Sequence, residues 1–133
     1  MFDPDADISA IWEVLANDTK ILSLVEWVNG KPKSELIYKG NEIPSKLDSN
    51  RICLYFAPSR RTRNQIVSEE VIQIDCHSPR PETTRQMVKR VAELVNRETL
   101  NGRQLWFAGQ LGDLTTAKGY SCAGVRFRYS TVV

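Results

Sequence analysis

Three segments of the chain repeat apolar residues at the spacing of an α-helix. Asp3 and Pro4 are typical of an N-cap followed by proline in the first helical position, so the first helix begins there. Asp18 offers the N-cap of a second helix, whose apolar run ends at the turn pair of residues 29–30. A third helix is predicted over residues 81–95. The three stripes comprise Ile8, Ile11, Trp12 and Leu15; Ile21, Leu22, Leu24, Val25 and Val28; and Met87, Val88, Val91, Leu94 and Val95.

Alternation of apolar and polar residues predicts the main strands. Residues 51–56 and residues 71–76 each place their apolar side chains on one face, which indicates two central strands. A long last strand is predicted over residues 120–133. Its apolar side chains share one face, and Arg126 and Arg128 point to the opposite face. These strands are expected to form one sheet with a basic patch on its last strand.

Polar segments between these elements predict loops and turns. Residues 57–70 are too polar to pack into a core, and we expect them to project as an exposed hairpin arm. Residues 31–50 are predicted to be mostly loop, with a short strand within residues 35–38. A tight hairpin is predicted at residues 101–102, and residues 109–119 are predicted as a polar loop.

The order of these elements is helix, helix, strands, helix, strands. This order favours an α+β fold over a doubly wound sheet of alternating strands and helices. We therefore expect an antiparallel or mixed β-sheet with helices packed on one side and a projecting β-hairpin arm. The 133 residues suit a single domain that covers residues 1–133.

The composition is that of a globular protein. Hydrophobic residues make up 41% and charged residues 26%, and no segment reaches the roughly 18 apolar residues of a membrane helix. The acidic N-terminal segment does not resemble a secretory signal, so an intracellular protein is expected. Cys53, Cys76 and Cys122 are odd in number and lie in strand-like segments, which favours reduced, buried thiols. A net charge of +2 is too small for a dedicated nucleic-acid binder.

No residue pattern indicates a catalytic site, a cofactor site or a metal site. His77 follows Cys76, but adjacent strand residues point to opposite faces, so the two side chains cannot easily converge on one atom. Neither residue has further ligands at the spacing of a metal motif, and we expect His77 to have a structural role. Core or interface packing is expected for the three tryptophans, Trp12, Trp27 and Trp106.

An arginine cluster is the most distinctive charged feature of the chain. Arg60, Arg61 and Arg63 lie within the predicted arm. Arginine pairs equally well with phosphates and with the carboxylates of a neighbouring subunit, so the cluster favours either DNA contact or subunit contact. A solvated hairpin tip is the simpler alternative, because charged edges also prevent aggregation.

One strand that leads directly into a helix carries a family resemblance. Residues 71–78 read Val-Ile-Gln-Ile-Asp-Cys-His-Ser and run straight into the third helix. The first helix ends in Leu-Ala-Asn-Asp at residues 15–18, residues 51–56 read Arg-Ile-Cys-Leu-Tyr-Phe, and a strand lies near residues 125–129. With this layout, nearly the whole chain resembles the small tail-completion proteins of long-tailed bacteriophages, also called tail-terminator or head-to-tail joining proteins. The connection over residues 31–50 is longer than the family pattern.

The resemblance implies a virion structural protein that is not an enzyme and needs no cofactor. Such a protein forms a ring that terminates the tail tube and joins it to the head connector, and the ring is expected to be a hexamer. Its implied partners are copies of itself, the tail tube protein and the head connector or stopper protein, with transient contact to DNA passing through and none to a membrane. The implied location is the virion, assembled in the cytoplasm of the bacterial host.

Two other functions fit the residues. A small nucleic-acid-binding module would use the arginine-rich hairpin together with the basic face of the last strand. A small enzyme would need a cleft that joins His77 to Asp75 or Glu70. The hypothesis of subunit or DNA contact rests on five residues: Arg60, Arg61, Arg63, Arg126 and Arg128.

Overall fold

The computed structural model describes residues 3–26, 36–42, 50–57, 67–100, 102–116 and 119–132. Three helices and seven strands lie within these ranges. The helices are α1 (Pro4–Ala16), α2 (Thr19–Val25) and α3 (Pro81–Val95). The strands are β1 (Ile37–Tyr38), β2 (Arg51–Ala57), β3 (Val67–Ser78), β4 (Thr99–Leu100), β5 (Arg103–Gln104), β6 (Trp106–Thr115) and β7 (Ser121–Val132).

Both predicted N-caps start a helix. The Asp3 carboxylate accepts a hydrogen bond of 3.1 Å from the backbone N–H of Ala6, and Asp18 accepts one of 3.0 Å from that of Ile21. The predicted length of α2 is wrong, because the helix ends at Val25 and not near residue 29. Glu26 follows in the left-handed region with φ of 56°, which ends the helical hydrogen bonding.

The main sheet is mixed and has the strand order β1-β2-β3-β7-β6. β1 is parallel to β2, and all the other neighbours in this sheet are antiparallel. β4 and β5 form a separate hairpin, as the turn at residues 101–102 predicted. α3 packs across β3 and β7, and α1 and α2 pack beside α3. The structure thus confirms the α+β class with the helices on one side of the sheet.

The hydrophobic core lies between the helices and one face of this sheet. The predicted stripe of α3 packs there, with Met87 and Val91 fully buried. The apolar residues of the central strands also face the helices, as the alternation predicted. The opposite face, here called the helix-free face, carries Arg51, Cys53 and Tyr55 of β2, Gln73, Asp75 and His77 of β3, and Cys122, Gly124, Arg126 and Arg128 of β7.

β3 begins earlier than predicted. The predicted arm ran from residue 57 to residue 70, but Ala57 ends β2 and residues 67–70 already pair with the end of β7. The last pair of β2 joins Ala57 to Val71, so β3 and β7 continue beyond it as a two-stranded ribbon. Residues 58–66 lie outside the described residues, and the arginine cluster lies with them.

The prediction of a polar loop over residues 109–119 is wrong for most of that segment. Residues Trp106–Thr115 form β6, a strand at the edge of the sheet. The sequence lacks regular alternation there because both faces of the strand are largely exposed. The pairing with β7 is also irregular at two places, between Phe107 and Gly109 and between Leu111 and Leu114. These irregularities further disturb the alternation of side chains between the two faces.

A buried carboxylate joins α1 to the other elements. Asp7 is 0% exposed, and its Oδ2 accepts a hydrogen bond of 2.6 Å from the Tyr129 hydroxyl of β7. Arg103 of β5 places a guanidinium nitrogen 3.6 Å from the other oxygen of Asp7. Burial, and next the hydrogen bond to Asp7, raise the pKa of Tyr129, so the phenol keeps its proton and donates. One charged group thus connects α1, the β4–β5 hairpin and β7.

Candidate assembly surface

β6 is an exposed edge strand with unusual apolar content. Within the described ranges it pairs with β7 alone, so its outer backbone edge faces away from the sheet. Trp106, Leu111 and Leu114 pair with β7 residues of the helix-free face and therefore lie on that face. They are 48%, 36% and 54% exposed, respectively. We call these three residues the apolar strip. A long apolar edge strand is a typical site for contact with another chain.

The second face of β6 carries one further exposed aromatic side chain. Phe107 is 47% exposed and pairs with Phe127 of β7. The two rings meet edge to face with their centroids 6.3 Å apart, which fixes the orientation of Phe107. Arg85 of α3 also contacts the far half of the strand, in an exposed 2.6 Å ion pair with Asp113. β6 is therefore positioned by the fold although it is exposed.

The predicted basic face of β7 lies beside the apolar strip. Arg128 is the direct partner of Trp106 across the β6–β7 ladder and is 4.0 Å from Glu69. Arg126 donates a hydrogen bond from Nε to the side-chain oxygen of Gln73. Both arginines are exposed, as predicted, and each contacts an acceptor on β3. The structure places these two predicted site residues together on the helix-free face, next to the edge strand.

A row of hydrogen bonds continues from Arg126 across the sheet. Gln73 donates from Nε2 to Asp75 at 2.6 Å, and the Tyr55 hydroxyl donates to the other oxygen of Asp75 at 2.5 Å. Burial, and next the contact with Asp75, raise the pKa of Tyr55, so the phenol remains a donor. The row links side chains of β2, β3 and β7 across the helix-free face.

Gly124 leaves space for this row of hydrogen bonds, so a larger residue at this position is expected to destabilise the chain. A Cβ atom there would collide with Asp75 Oδ1 and would stand 3.2 Å from the backbone oxygen of Ile74. We expect Gly124→Ala to lower the free energy of unfolding by about 1–3 kcal/mol, because the row must move. Gly112→Ala is the matched control in β6, since no atom lies within 4 Å of its added Cβ, and it should change stability by less than about 0.5 kcal/mol. Urea denaturation measures both, and equal stabilities would contradict the prediction.

A groove adjoins the apolar strip at the start of β6. It has a volume of about 600 Å³ and lies between the β4–β5 hairpin, β6 and the end of β7. Its wall combines the Trp106 ring with charged groups of both signs: Glu69, Arg103 and Arg128. Such a mixed lining suits a protein side chain better than a phosphate, because the acidic group lies among the basic ones.

The pair His77 and Cys76 does not form a nucleophile with its base. Cys76 pairs with Ile52 in the core, whereas His77 pairs with Arg51 on the helix-free face. Burial raises the pKa of the Cys76 thiol well above its usual value, which leaves the thiol protonated. The expectation that the two side chains diverge is confirmed. All three cysteines are buried and free, as predicted.

The three tryptophans have different outcomes. Trp12 packs against the core and donates from its indole nitrogen to the backbone oxygen of Ile37 at 3.0 Å. Trp106 is half exposed and does not pack in the core, which leaves the interface alternative for this residue. Trp27 lies outside the described residues. The sequence analysis did not predict the apolar strip. It assigned Leu111 and Leu114 to a polar loop, and Trp106 lies just before that segment.

Within the described part of the chain, no helix is long and apolar enough to cross a membrane.

The fold of this chain is similar to that of a chain in a solved structure titled "Virion of native gene transfer agent (GTA) particle". The TM-score is 0.67, and the alignment covers 100% of both chains at 12% sequence identity. No family model matches the sequence, and no curated protein sequence is significantly similar to it. The similarity therefore lies in the fold, and it extends over the entire length.

Proposed function

We propose that this protein is a structural component of a phage or phage-like virion, that it acts at the head-tail interface, and that it works by assembly and not by catalysis. The observation that carries the proposal is the similarity in fold to a virion chain over the full length of both proteins. The layout of the sequence resembles tail-completion proteins, and this resemblance supports the finer role. In that role the chain forms a hexameric ring that terminates the tail tube and joins it to the head connector.

The apolar strip supports the assembly part of this proposal. A closed ring needs a head-to-tail contact, in which one surface of each subunit meets a different surface of the next. The strip supplies one such surface: a fixed edge strand with Trp106 and two leucines exposed. Trp is among the residues that contribute most binding energy at interfaces, particularly when polar groups surround it as they do in the adjoining groove.

The described charges favour protein partners over nucleic acid. Arg126 and Arg128 are the described members of the predicted basic patch, and they contact Gln73 and Glu69, respectively. Glu69 places a negative charge 4.0 Å from Arg128, which weakens the attraction of this surface for phosphate. We propose that Arg60, Arg61 and Arg63 pair with carboxylates of a neighbouring subunit, that the tail tube and the connector or stopper protein bind the ring, and that DNA contacts are transient.

The mass in solution tests the ring directly. We expect light scattering to give a mass near that of six chains of 15.1 kDa, either for the protein alone or after addition of tail tubes. Negative-stain images should show closed rings of uniform diameter. A monomer at every concentration, with and without tail tubes, would overturn the ring.

Particles that lack this protein test its position in the virion. If it terminates the tail, electron micrographs should show unjoined heads beside tails of irregular length, because nothing stops tube growth. Unjoined heads with tails of normal length would restrict the role to joining. Complete infectious particles without the protein would remove it from the head-tail interface altogether.

A further inference from the structure

β3 and β7 bring three metal-binding side chains together on the helix-free face. His77 and Cys122 are direct partners in the antiparallel register, and Asp75 lies two positions before His77 on the same face. A nitrogen of His77, the sulfur of Cys122 and a carboxylate oxygen of Asp75 all lie within 4.8 Å of one another. Nitrogen, sulfur and oxygen donors around one point are the donor types that zinc uses in proteins.

His77 supplies the second observation. The residue is only 3% exposed, and its Nδ1 atom is buried without a hydrogen-bond partner. Buried polar atoms are normally satisfied, so a buried nitrogen without a partner requires an explanation. A neutral imidazole has a lone pair on the nitrogen that carries no proton, and this lone pair is what a metal ion binds.

The carboxylate of Asp75 is already held in place. Tyr55 and Gln73 donate hydrogen bonds to its two oxygens at 2.5 and 2.6 Å, and Arg126 in turn fixes Gln73. Metal-bound carboxylates typically have such partners, which set their orientation before the ion arrives. Each carboxylate oxygen retains a lone pair for a cation, because one donor uses only part of its capacity.

We propose that Asp75, His77 and Cys122 bind a divalent transition metal of the zinc class, and that the ion clips β3 to β7. A thiolate together with a carboxylate balances the charge of the dication, and the thiolate selects zinc-like ions over magnesium or calcium. Ligands of tetrahedral zinc lie about 3.5 Å apart, so the three side chains need to close slightly by rotation about their own torsions.

Two features of the surroundings bear on this site. The thiol of Cys122 is buried, and its proton must leave when the metal binds, because the thiolate is the ligand. Arg51 of β2 is the pairing partner of His77, but its guanidinium donates to the backbone oxygen of Glu42 at 2.8 Å and lies over the Tyr38 ring. Its positive charge still acts on His77 and disfavours a cation there, so the carboxylate and the thiolate must outweigh this repulsion.

Titration of the folded, metal-free protein with cobalt(II) tests the proposal, because cobalt bound to thiolate has a sulfur-to-metal charge-transfer absorption. We expect one cobalt per chain, displacement by zinc, and a higher melting temperature with zinc than with chelator. Cys122→Ser should abolish the charge-transfer band. His77→Gln should weaken cobalt binding at least tenfold, and circular dichroism checks that each variant is folded.

Cys76→Ala is the matched control, since Cys76 neighbours His77 in sequence but lies in the core on the other face of the sheet. This variant should keep the band and the stoichiometry of the unmodified chain. Absence of stoichiometric binding to the unmodified folded chain would overturn the proposal. So would a charge-transfer band that survives Cys122→Ser or disappears in Cys76→Ala. The result is independent of ring formation, because it is read from the spectrum of the metal.

Discussion

Replacement of Trp106 and Leu114 by serine is expected to abolish ring formation while the domain stays folded. Both side chains are about half exposed, so the isolated chain loses little packing when they are truncated. In an interface each would be fully buried. A Trp anchor of this kind contributes about 2 kcal/mol or more, and burial of the exposed half of a leucine side chain contributes about 1 kcal/mol. The two losses together correspond to a subunit contact that is roughly a hundredfold weaker. Sedimentation velocity measures the change in mass, and circular dichroism reports the fold.

The matched control changes two exposed residues on another surface. Gln86 and Lys89 lie on the outer side of α3, and Gln86→Ser with Lys89→Ser should leave the ring intact. Unchanged ring mass in the β6 variant would show that the apolar strip is not the subunit contact. Loss of the ring in both variants would indicate a general defect instead of a specific interface.

Local chemistry explains why some of the fold could be predicted from the sequence. The N-cap residues Asp3 and Asp18 act on backbone groups only three positions away, so the signal is contained in a few consecutive residues. β2 and α3 were predictable for a related reason. Each has one face against the core, and burial of one face imposes a period of two on a strand and 3.6 on a helix.

β6 could not be predicted in this way, because solvent surrounds most of its side chains. A strand with two exposed faces has no burial pattern to impose alternation, and its pairing irregularities remove what period remains. The useful signal was of another kind. Leu111 and Leu114 are large apolar residues in a segment otherwise suited to a loop, and both are exposed in the structure. Exposed apolar residues on an edge strand are the feature on which the proposed subunit contact rests.

The cluster of Asp75, His77 and Cys122 on the helix-free face could not be predicted from the sequence for a second reason. Asp75 and His77 are close in the chain, but Cys122 belongs to a strand that follows α3, β6 and two further strands. Only the register of β3 against β7 makes His77 and Cys122 neighbours, and a shift of one residue would place Cys122 on the opposite face. Motif spacing along the chain therefore gave no indication of this set.

The largest expected effect on stability follows from Asp7→Ala. The substitution leaves the Tyr129 hydroxyl, which is buried, without its acceptor, and it removes the carboxylate from the Arg103 guanidinium. Breaking a buried charged contact by removing one partner typically costs about 3–5 kcal/mol. We expect a loss of at least about 3 kcal/mol in the free energy of unfolding, measured by urea denaturation at neutral pH.

Asp5→Ala is a close control, because Asp5 and Asp7 both lie in the first turn of α1, and Asp5 is exposed. Both substitutions remove a negative charge near the positive end of the helix dipole, an effect of about 0.3–1 kcal/mol. The difference between the two variants therefore isolates the contacts of the buried carboxylate. Tyr129→Phe should account for about 1–2 kcal/mol of that difference, since it deletes one hydrogen bond to a charged acceptor. If Asp5→Ala and Asp7→Ala destabilise the chain equally, Asp7 does not anchor α1 to β7, and other contacts of the helix hold it in place.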